Sequence, residues 1–194
     1  MPKLISTCLA GLLTAALLTG CTGPGPVASP ASPVTPTVST PAGPPSLSDD
    51  DLYALAVSQY KKLFAIMTDV DRHGGATVLP DASRDVMMDP AWAEYDRVYR
   101  EILLSGDRYV GAPKYTITAI GHLDGEQLAD DTIIALQTCE LFEGAAMLDQ
   151  DGNTVQDGSP VMRYLKAYLK YDPADGELKV FILNGEGVDT CPIN

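Results

Sequence analysis

Residues 161–183 read VMRYLKAYLKYDPADGELKVFIL and carry the clearest strand pattern of the chain. Along 161–171, Val, Arg, Leu, Ala and Leu alternate with Met, Tyr, Lys, Tyr and Lys, which favours a strand with one apolar face over a helix. The run DPADG at 172–176 consists of residues that form turns, and the β-rich run ELKVFIL follows it directly. The stretch therefore predicts two strands joined by a tight turn.

Three earlier signals extend the predicted sheet. Residues 114–123 (KYTITAIGHL) are rich in β-branched and aromatic side chains, which pack well on a pleated surface. Residues 132–142 (TIIALQTCELF) are apolar on both faces for much of their length, which is typical of a buried strand. Asp151, Gly152 and Asn153 form a hairpin signal after this strand. In all, the sequence predicts four to five antiparallel strands.

The stretch that precedes these strands has the period of a helix. Ser48 stands before three aspartates, so it can cap a helix whose N-terminal dipole the carboxylates complement. Apolar residues then recur at steps of three, four or seven from Leu52 to Val70, and Gly74-Gly75 ends the pattern.

A second helix is predicted before the first strand. Asp89 reads as its N-cap, Pro90 as its first helical residue and Gly106 as its end. Two N-terminal helices followed by antiparallel strands make an α+β domain, which we place at residues 48–194. The expected architecture is a pair of helices packed on a curved antiparallel sheet of four to five strands.

Residues 1–20 have the layout of a bacterial lipoprotein signal peptide. A short positively charged start precedes an apolar stretch at 8–19, which is shorter than the roughly 20 residues of a membrane span. The segment LTGC at 18–21 resembles a lipobox, which implies cleavage between Gly20 and Cys21 and palmitate-type acyl chains on Cys21. Two acyl chains hold a protein stably at a membrane, so the expected location is the outer face of the bacterial plasma membrane. The alternative is an ordinary secretory signal in which Cys21 is incidental.

Residues 21–47 form a linker rich in Pro, Ser and Thr, without a charged residue. Such a segment cannot bury enough apolar surface to offset its ordering entropy, so we predict a disordered, semi-rigid tether. Its composition also suits O-glycosylation, although a plain spacer is the preferred interpretation.

The chain carries 13 Lys and Arg against 26 Asp and Glu, a formal net charge of −13. All the acidic residues and 12 of the basic ones lie in residues 48–194, which therefore carry −14. Nucleic-acid binding needs clustered Lys and Arg, and this balance argues against it. The charge indicates solubility, with a cationic partner or Ca²⁺ as the more specific interpretation.

Two cysteines remain for the folded domain once Cys8 leaves with the signal peptide and Cys21 is lipidated. Cys139 and Cys191 are then an even pair in an oxidising compartment, which predicts a disulfide.

This order of elements resembles NTF2-like (SnoaL-like) domains, and more narrowly the secreted NTF2-like lipoproteins of actinobacteria. The resemblance covers most of the chain and rests on the lipobox, the linker, the two helices, the Cys139 strand, the Gly152 turn and the late Cys191. It implies a cone of strands over the helices, with an open mouth used for ligand binding, assembly or catalysis. Residues 72–88 have no counterpart in that pattern, and a fold alone does not choose among these functions.

An NTF2-like enzyme of isomerase, cyclase or hydrolase type would need a carboxylate or imidazole in an apolar pocket. Glu140 interrupts an apolar strand, and Asp96 lies on the second helix. His73 and His122 lie near the ends of elements. Each of the four has an alternative interpretation as a solvent-exposed residue, so no catalytic residue is assigned and the chain is not expected to be an enzyme.

Two further patterns have both a functional and a plain interpretation. Acidic and amide residues at 149, 151, 153 and 157 follow EF-hand ligand spacing, but Thr154 stands in place of the required Gly and Pro160 in place of the Glu. An Asx-rich turn is therefore preferred, and no metal or cofactor is predicted. Helical aromatic residues either line a ligand cavity or form plain core: Tyr53, Tyr60, Trp92, Tyr95 and Tyr99.

The function predicted from these observations is non-catalytic binding by a lipid-anchored envelope protein. The ligand is a protein partner or a small apolar molecule, and a homodimer formed through the sheet is compatible with the first of these. The alternatives are an NTF2-like enzyme with a pocket carboxylate and a phage or mobile-element surface-exclusion lipoprotein.

Overall fold

The computed structural model describes residues 46–124 and 131–193. The predicted signal peptide, its cleavage site between Gly20 and Cys21, the lipidation of Cys21 and the linker up to residue 45 lie outside the described residues. The described chain is α+β, with two helices and then a five-stranded antiparallel sheet that does not close. The elements are α1 (Asp49–Arg72), a 3₁₀ turn (Asp81–Asp85), α2 (Ala91–Ser105), β1 (Arg108–His122), β2 (Ile134–Leu148), β3 (Thr154–Gln156), β4 (Val161–Tyr171) and β5 (Leu178–Val188).

Helix α1 begins and ends as the sequence predicts. The Ser48 hydroxyl accepts a hydrogen bond from the backbone N–H of Asp51 at 3.2 Å, and three aspartates occupy the first turn. The helix ends at Arg72, just before Gly74 with a φ of 77°. One face packs on the sheet through its buried apolar residues: Ala56, Tyr60, Leu63, Met67 and Val70.

Helix α2 confirms the second predicted helix but corrects its start. The helix begins at Ala91, and Pro90 occupies the capping position without a side-chain hydrogen bond. The backbone N–H of Trp92 donates to the carbonyl of Met88 at 3.0 Å. A backbone oxygen, and not the Asp89 side chain as predicted, therefore accepts this hydrogen bond from the first turn of α2. The Asp89 carboxylate lies instead 3.8 Å from the guanidinium of Arg84.

The sheet has the order β1-β2-β4-β5, and β3 pairs with the far end of β2. Strand β4 has the predicted bounds, but β1 and β2 are several residues longer than predicted. Both strands continue through an irregularity where Gly111 and Gly144 adopt positive φ angles of 115° and 88°. A Cβ at Gly111 would lie 2.7 Å from the Gly144 carbonyl oxygen, which explains why the close approach needs glycine.

Residues 72–88, which have no counterpart in the NTF2-like pattern, cover part of the free edge of β5. Met87 forms a parallel bridge with Val180. The Val180 N–H donates to Val86 and its carbonyl accepts from Met88, each at 2.9 Å. The indole N–H of Trp92 donates to the Ser83 hydroxyl at 2.8 Å, which fastens this segment to α2.

The sheet buries apolar residues on both faces. The main core lies between the helices and the inner face, where Leu136, Ala167 and Leu169 are fully buried. Side chains alternate along a strand, so Ala135 and Tyr168 point to the opposite, outer face. A smaller cluster forms there from Leu123, Ala135, Tyr168 and Phe181.

No helix within the described residues has the length and apolar character that crossing a membrane requires.

Candidate functional site

The predicted cysteine pair lies at the outer face of the sheet, with Cys139 on β2 and Cys191 after β5. Cys139 and Cys191 form a disulfide with an S–S distance of 2.10 Å and a Cα–Cα distance of 5.8 Å. The bridge fastens the segment after β5 to the middle of the sheet and closes a loop of 52 residues in sequence separation.

The inner face of β2 carries the adjacent residue, Glu140, which is 6% exposed. The Tyr60 hydroxyl donates to its Oε1 at 2.7 Å, and Arg163 donates from Nη2 to its Oε2 at 2.9 Å. The Thr138 hydroxyl donates in turn to the Tyr60 oxygen at 2.8 Å. Both carboxylate oxygens of Glu140 are therefore engaged. We call Tyr60, Thr138, Glu140 and Arg163 the Glu140 network.

The network corrects the interpretation of Glu140 as a solvent-exposed residue. Strand alternation turns Thr138 and Glu140 toward the helices, and the register pairs Glu140 with Arg163 on β4. The Arg163 side chain is 44% exposed, so one end of this ion pair meets solvent while the carboxylate is buried. Tyr60 next to Glu140 has a pKa raised well above its ordinary value, first by burial and then by the negative charge of Glu140.

A small cavity lies beside the network, between the helices and the inner face of the sheet. The space that water can occupy in it is about 40 Å³, enough for one or a few water molecules. Four elements contribute polar lining residues: Tyr60 and Asp71 from α1, Tyr95 and Tyr99 from α2, Glu140 from β2 and Arg163 from β4.

Asp71 is the second carboxyl that lines this cavity, and its situation differs from that of Glu140. It forms no ion pair within the part of the chain that the structure describes. Burial raises its pKa from 3.8 to about 6, and the positive charge of Arg163 only partly opposes the rise. The hydroxyls of Tyr99 and Tyr115 approach Asp71 and also lower its pKa.

The tyrosines around Asp71 are poor acids. Burial raises the pKa of Tyr95 to about 12, and burial together with the nearby charge of Asp71 raises the pKa values of Tyr99 and Tyr115 further. The Tyr115 hydroxyl is buried and has no partner within ordinary hydrogen-bond distance in residues 46–124 and 131–193. The cluster around Asp71 therefore holds neutral hydroxyls whose hydrogen bonds are not all made.

The structure separates the other predicted candidates from this site. Asp96 is buried rather than solvent-exposed: it accepts from the backbone N–H of Leu79 at 2.8 Å and pairs with Arg100, which fixes the preceding loop to α2. His73 and His122 are exposed, in agreement with their interpretation as surface residues.

The aromatic candidates divide between the cavity and the core. Tyr60, Tyr95 and Tyr99 line the cavity. Tyr53 packs edge-on against His122, and the ring of Trp92 lies under the guanidinium of Arg84 at 3.4 Å.

The acidic residues of the β2–β3 turn act within the turn. The Asp149 carboxylate accepts from the backbone N–H groups of Asp151 and Asn153 at 3.0 and 2.8 Å and from the Asn153 side chain at 3.0 Å. These bonds lower the Asp149 pKa, and they make the Asx turn that the sequence favours. In residues 46–124 and 131–193, no group of His, Cys, Asp and Glu side chains is arranged to hold a metal ion.

The outer face of the sheet carries an apolar row at the end nearest β3. Leu141, Met162 and Val188 are cross-strand neighbours on β2, β4 and β5, and all three are partly exposed. A groove of about 540 Å³ runs along them. We call these three residues the outer row.

Sequence reasoning missed Asp71 and Arg163, and each had a signal. Arg163 stands among the apolar residues of β4 that alternate toward the core, where a charged side chain needs a partner. Asp71 follows Phe64 and Met67 at steps of seven and four, which places it on the buried face of α1.

Comparison of the chain with protein-family models finds no match, and comparison with curated proteins finds no match either.

Proposed function

We propose that this chain is a lipid-anchored protein of the bacterial cell envelope whose NTF2-like domain binds a protein partner without catalysis. Its anchor is the acylated Cys21, and residues 21–47 hold the domain away from the membrane. Two helices packed on one face of an antiparallel sheet, with irregularities that bend the long strands, support the NTF2-like assignment.

The small size of the interior cavity is the observation that carries the proposal. A drug-sized or lipid-like ligand needs a pocket of about 300–1,000 Å³, whereas this cavity offers about 40 Å³. The carboxylate predicted for a catalytic role, Glu140, is engaged at both oxygens by Tyr60 and Arg163. Both facts favour recognition at the surface over an internal apolar ligand or a catalytic base at Glu140.

The outer row is the surface that suits a partner. Its apolar side chains lie side by side on three strands, and the adjoining groove is bordered by Pro160 and Asp189. Contiguous exposed apolar residues rimmed by polar ones are typical of protein interaction sites.

Photo-crosslinking in the native cell tests the proposal. A photoreactive residue replaces Met162 in the full chain, and a matched variant carries it in place of Glu101 on the exposed side of α2. We expect one adduct of defined mass from position 162 and none from position 101. Identical patterns from both positions would refute recognition at the outer row, and an apolar molecule retained by the purified protein in native mass spectrometry would favour the carrier function.

The anchor has its own test. Cys21→Ala should abolish incorporation of labelled fatty acid and either release the protein from the membrane or stop its maturation, with Cys8→Ala as the matched control. Unchanged fatty-acid labelling of Cys21→Ala would contradict the lipoprotein assignment.

A further inference from the structure

We propose that the cavity beside Asp71 binds a primary ammonium group, either of a small free amine or of a lysine side chain. This inference concerns the interior of the domain and does not depend on the proposed partner at the outer row.

The charge balance of the cavity favours a cationic ligand. Its lining holds two carboxylates, Asp71 and Glu140, and one cation, Arg163. Nη2 of Arg163 is hydrogen-bonded to Glu140, and Asp71 forms no ion pair in the described part of the chain. A partly buried carboxylate without an ion pair is costly, and a cation bound beside it lowers that cost.

The surrounding side chains also suit an ammonium group. Tyr95 and Tyr99 bring aromatic rings and hydroxyl oxygens to the cavity from α2, and Phe64 borders it from α1. Outside the cavity lining, the Tyr115 hydroxyl approaches Asp71 from β1 and has no partner within ordinary hydrogen-bond distance among the described residues. An ammonium group has three N–H donors and is attracted by aromatic faces, so it matches a carboxylate surrounded by tyrosines.

The space in the cavity also suits a primary ammonium group. The volume open to water is about 40 Å³, enough for one or a few water molecules or for the end of an alkylammonium chain. A quaternary ammonium group has no N–H donor and therefore cannot hydrogen-bond to Asp71.

The charge of Asp71 must control this binding, so the other groups that face it matter. With a pKa of about 6, Asp71 is ionised at pH 8 and mostly protonated at pH 5, which weakens binding about tenfold at pH 5. The charged or titratable neighbours are Arg163 from β4, Glu140 from β2, Tyr95 and Tyr99 from α2, and Tyr109 and Tyr115 from β1. On α1 itself the exposed Arg72 lies with its guanidinium carbon 5.8 Å from the centre of the Tyr115 ring and stays charged across that range. The tyrosine pKa values are all raised, so these groups stay neutral across that range.

Thermal unfolding of the full chain with methylammonium chloride as the probe tests the inference. Tetramethylammonium chloride at equal concentration controls for ionic strength. At pH 8 we expect a saturable rise in melting temperature with methylammonium only. The affinity should fall about tenfold at pH 5 and the rise should disappear in Asp71→Asn, a near-isosteric change that keeps the fold.

Each outcome either overturns the inference or assigns the ligand. No saturable rise at pH 8, an equal rise with tetramethylammonium, or an unchanged rise in Asp71→Asn would overturn the inference. A rise with methylammonium and also with Nα-acetyl-lysine methylamide assigns the site to a lysine side chain. A rise with methylammonium alone assigns it to a small free amine.

Discussion

Glu140 and Asp71 line the same cavity, yet their surroundings differ in one respect. Glu140 is the more buried of the two, but Tyr60 and Arg163 occupy both of its oxygens. Asp71 is only partly buried and has no ion pair among the described residues, and burial raises its pKa to about 6. Hydrogen-bond and charge partners, rather than depth of burial alone, thus set the free-energy cost of an ionised carboxylate inside this domain.

The largest expected effect comes from removing the cation of the Glu140 network. Breaking a buried ion pair costs about 3–5 kcal/mol, and the partial exposure of Arg163 lowers our expectation for Arg163→Met to about 2–3 kcal/mol of unfolding free energy. Urea unfolding of the full chain measures it. The double variant Arg163→Met/Glu140→Gln should regain part of the loss because no unpaired charge remains.

The exposed pair of Lys114 and Glu143 provides the matched control. Its atoms also lie 2.9 Å apart, but the Lys114 side chain is 69% exposed. Lys114→Met should cost about 0.5 kcal/mol or less. Equal losses from Lys114→Met and Arg163→Met would remove the distinction on which the comparison rests.

Tyr60→Phe should have the next largest effect. It removes the donor to Glu140 and leaves the Thr138 hydroxyl without its acceptor, so we expect a loss of about 1–2 kcal/mol in the same experiment. Tyr53→Phe, on the same helix but outside the cavity lining, should be nearly neutral. A neutral Tyr60→Phe would mean that the hydroxyl contributes nothing to holding Glu140.

Asp71→Asn should stabilise the protein by an amount that grows between about pH 4 and pH 6 and is complete above pH 6. The folded-state pKa lies above the ordinary value of 3.8, so the folded chain holds this proton more tightly than the unfolded chain does. Stability from this group is therefore complete below about pH 4 and is lost as the pH rises through 6. Allowing for partial exposure, the amide should gain about 1 kcal/mol at pH 8 and nothing at pH 4.

Asp69→Asn is the control for that pH dependence. Asp69 lies two residues earlier on α1 with its side chain 70% exposed. Its substitution should change stability little at either pH. A gain from Asp71→Asn that is equal at pH 4 and pH 8 would contradict the assigned pKa.

Tyr115→Phe gives the smallest expected effect. The hydroxyl approaches Asp71 but has no partner within ordinary hydrogen-bond distance among the described residues, while the ring packs against Phe142 with its centroid 5.0 Å away. Removing the hydroxyl should therefore be neutral or stabilising by about 0.5 kcal/mol. A loss above about 1 kcal/mol of unfolding free energy would mean that Tyr115 donates a hydrogen bond to Asp71 in solution. Asp71 would then differ less from Glu140 in its hydrogen-bond partners.

Periodicity predicted most of the fold because the buried faces are regular. The alternation around Leu165 and Ala167 located β4, and the capping signal at Ser48 located α1. Two features had no periodic signal. Gly111 lets β1 pass through an irregularity, and backbone atoms of residues 86–88 pair with β5.

The site was less predictable because it depends on pairing between distant segments. Glu140 was recognised as unusual in its strand, but only the register of β2 with β4 shows that Arg163 reaches it. Asp71 lacks an ion pair among the described residues because no cation from a distant segment reaches it. No local sequence pattern predicts such a lack. The disulfide was predictable from the cysteine count, because the predicted loss of Cys8 and lipidation of Cys21 leave Cys139 and Cys191 to pair.

The bridge between Cys139 and Cys191 also determines what a single proteolytic cut does to the domain. The turns at Gly152, Gly158 and Gly176 all lie between the two cysteines, and exposed turns of this kind are preferred sites of nicking. One cut in any of them divides the polypeptide but releases nothing, because both fragments stay covalently joined. A domain tethered to a membrane through its N-terminal side would thus keep its last strand after such a cut and resist shedding.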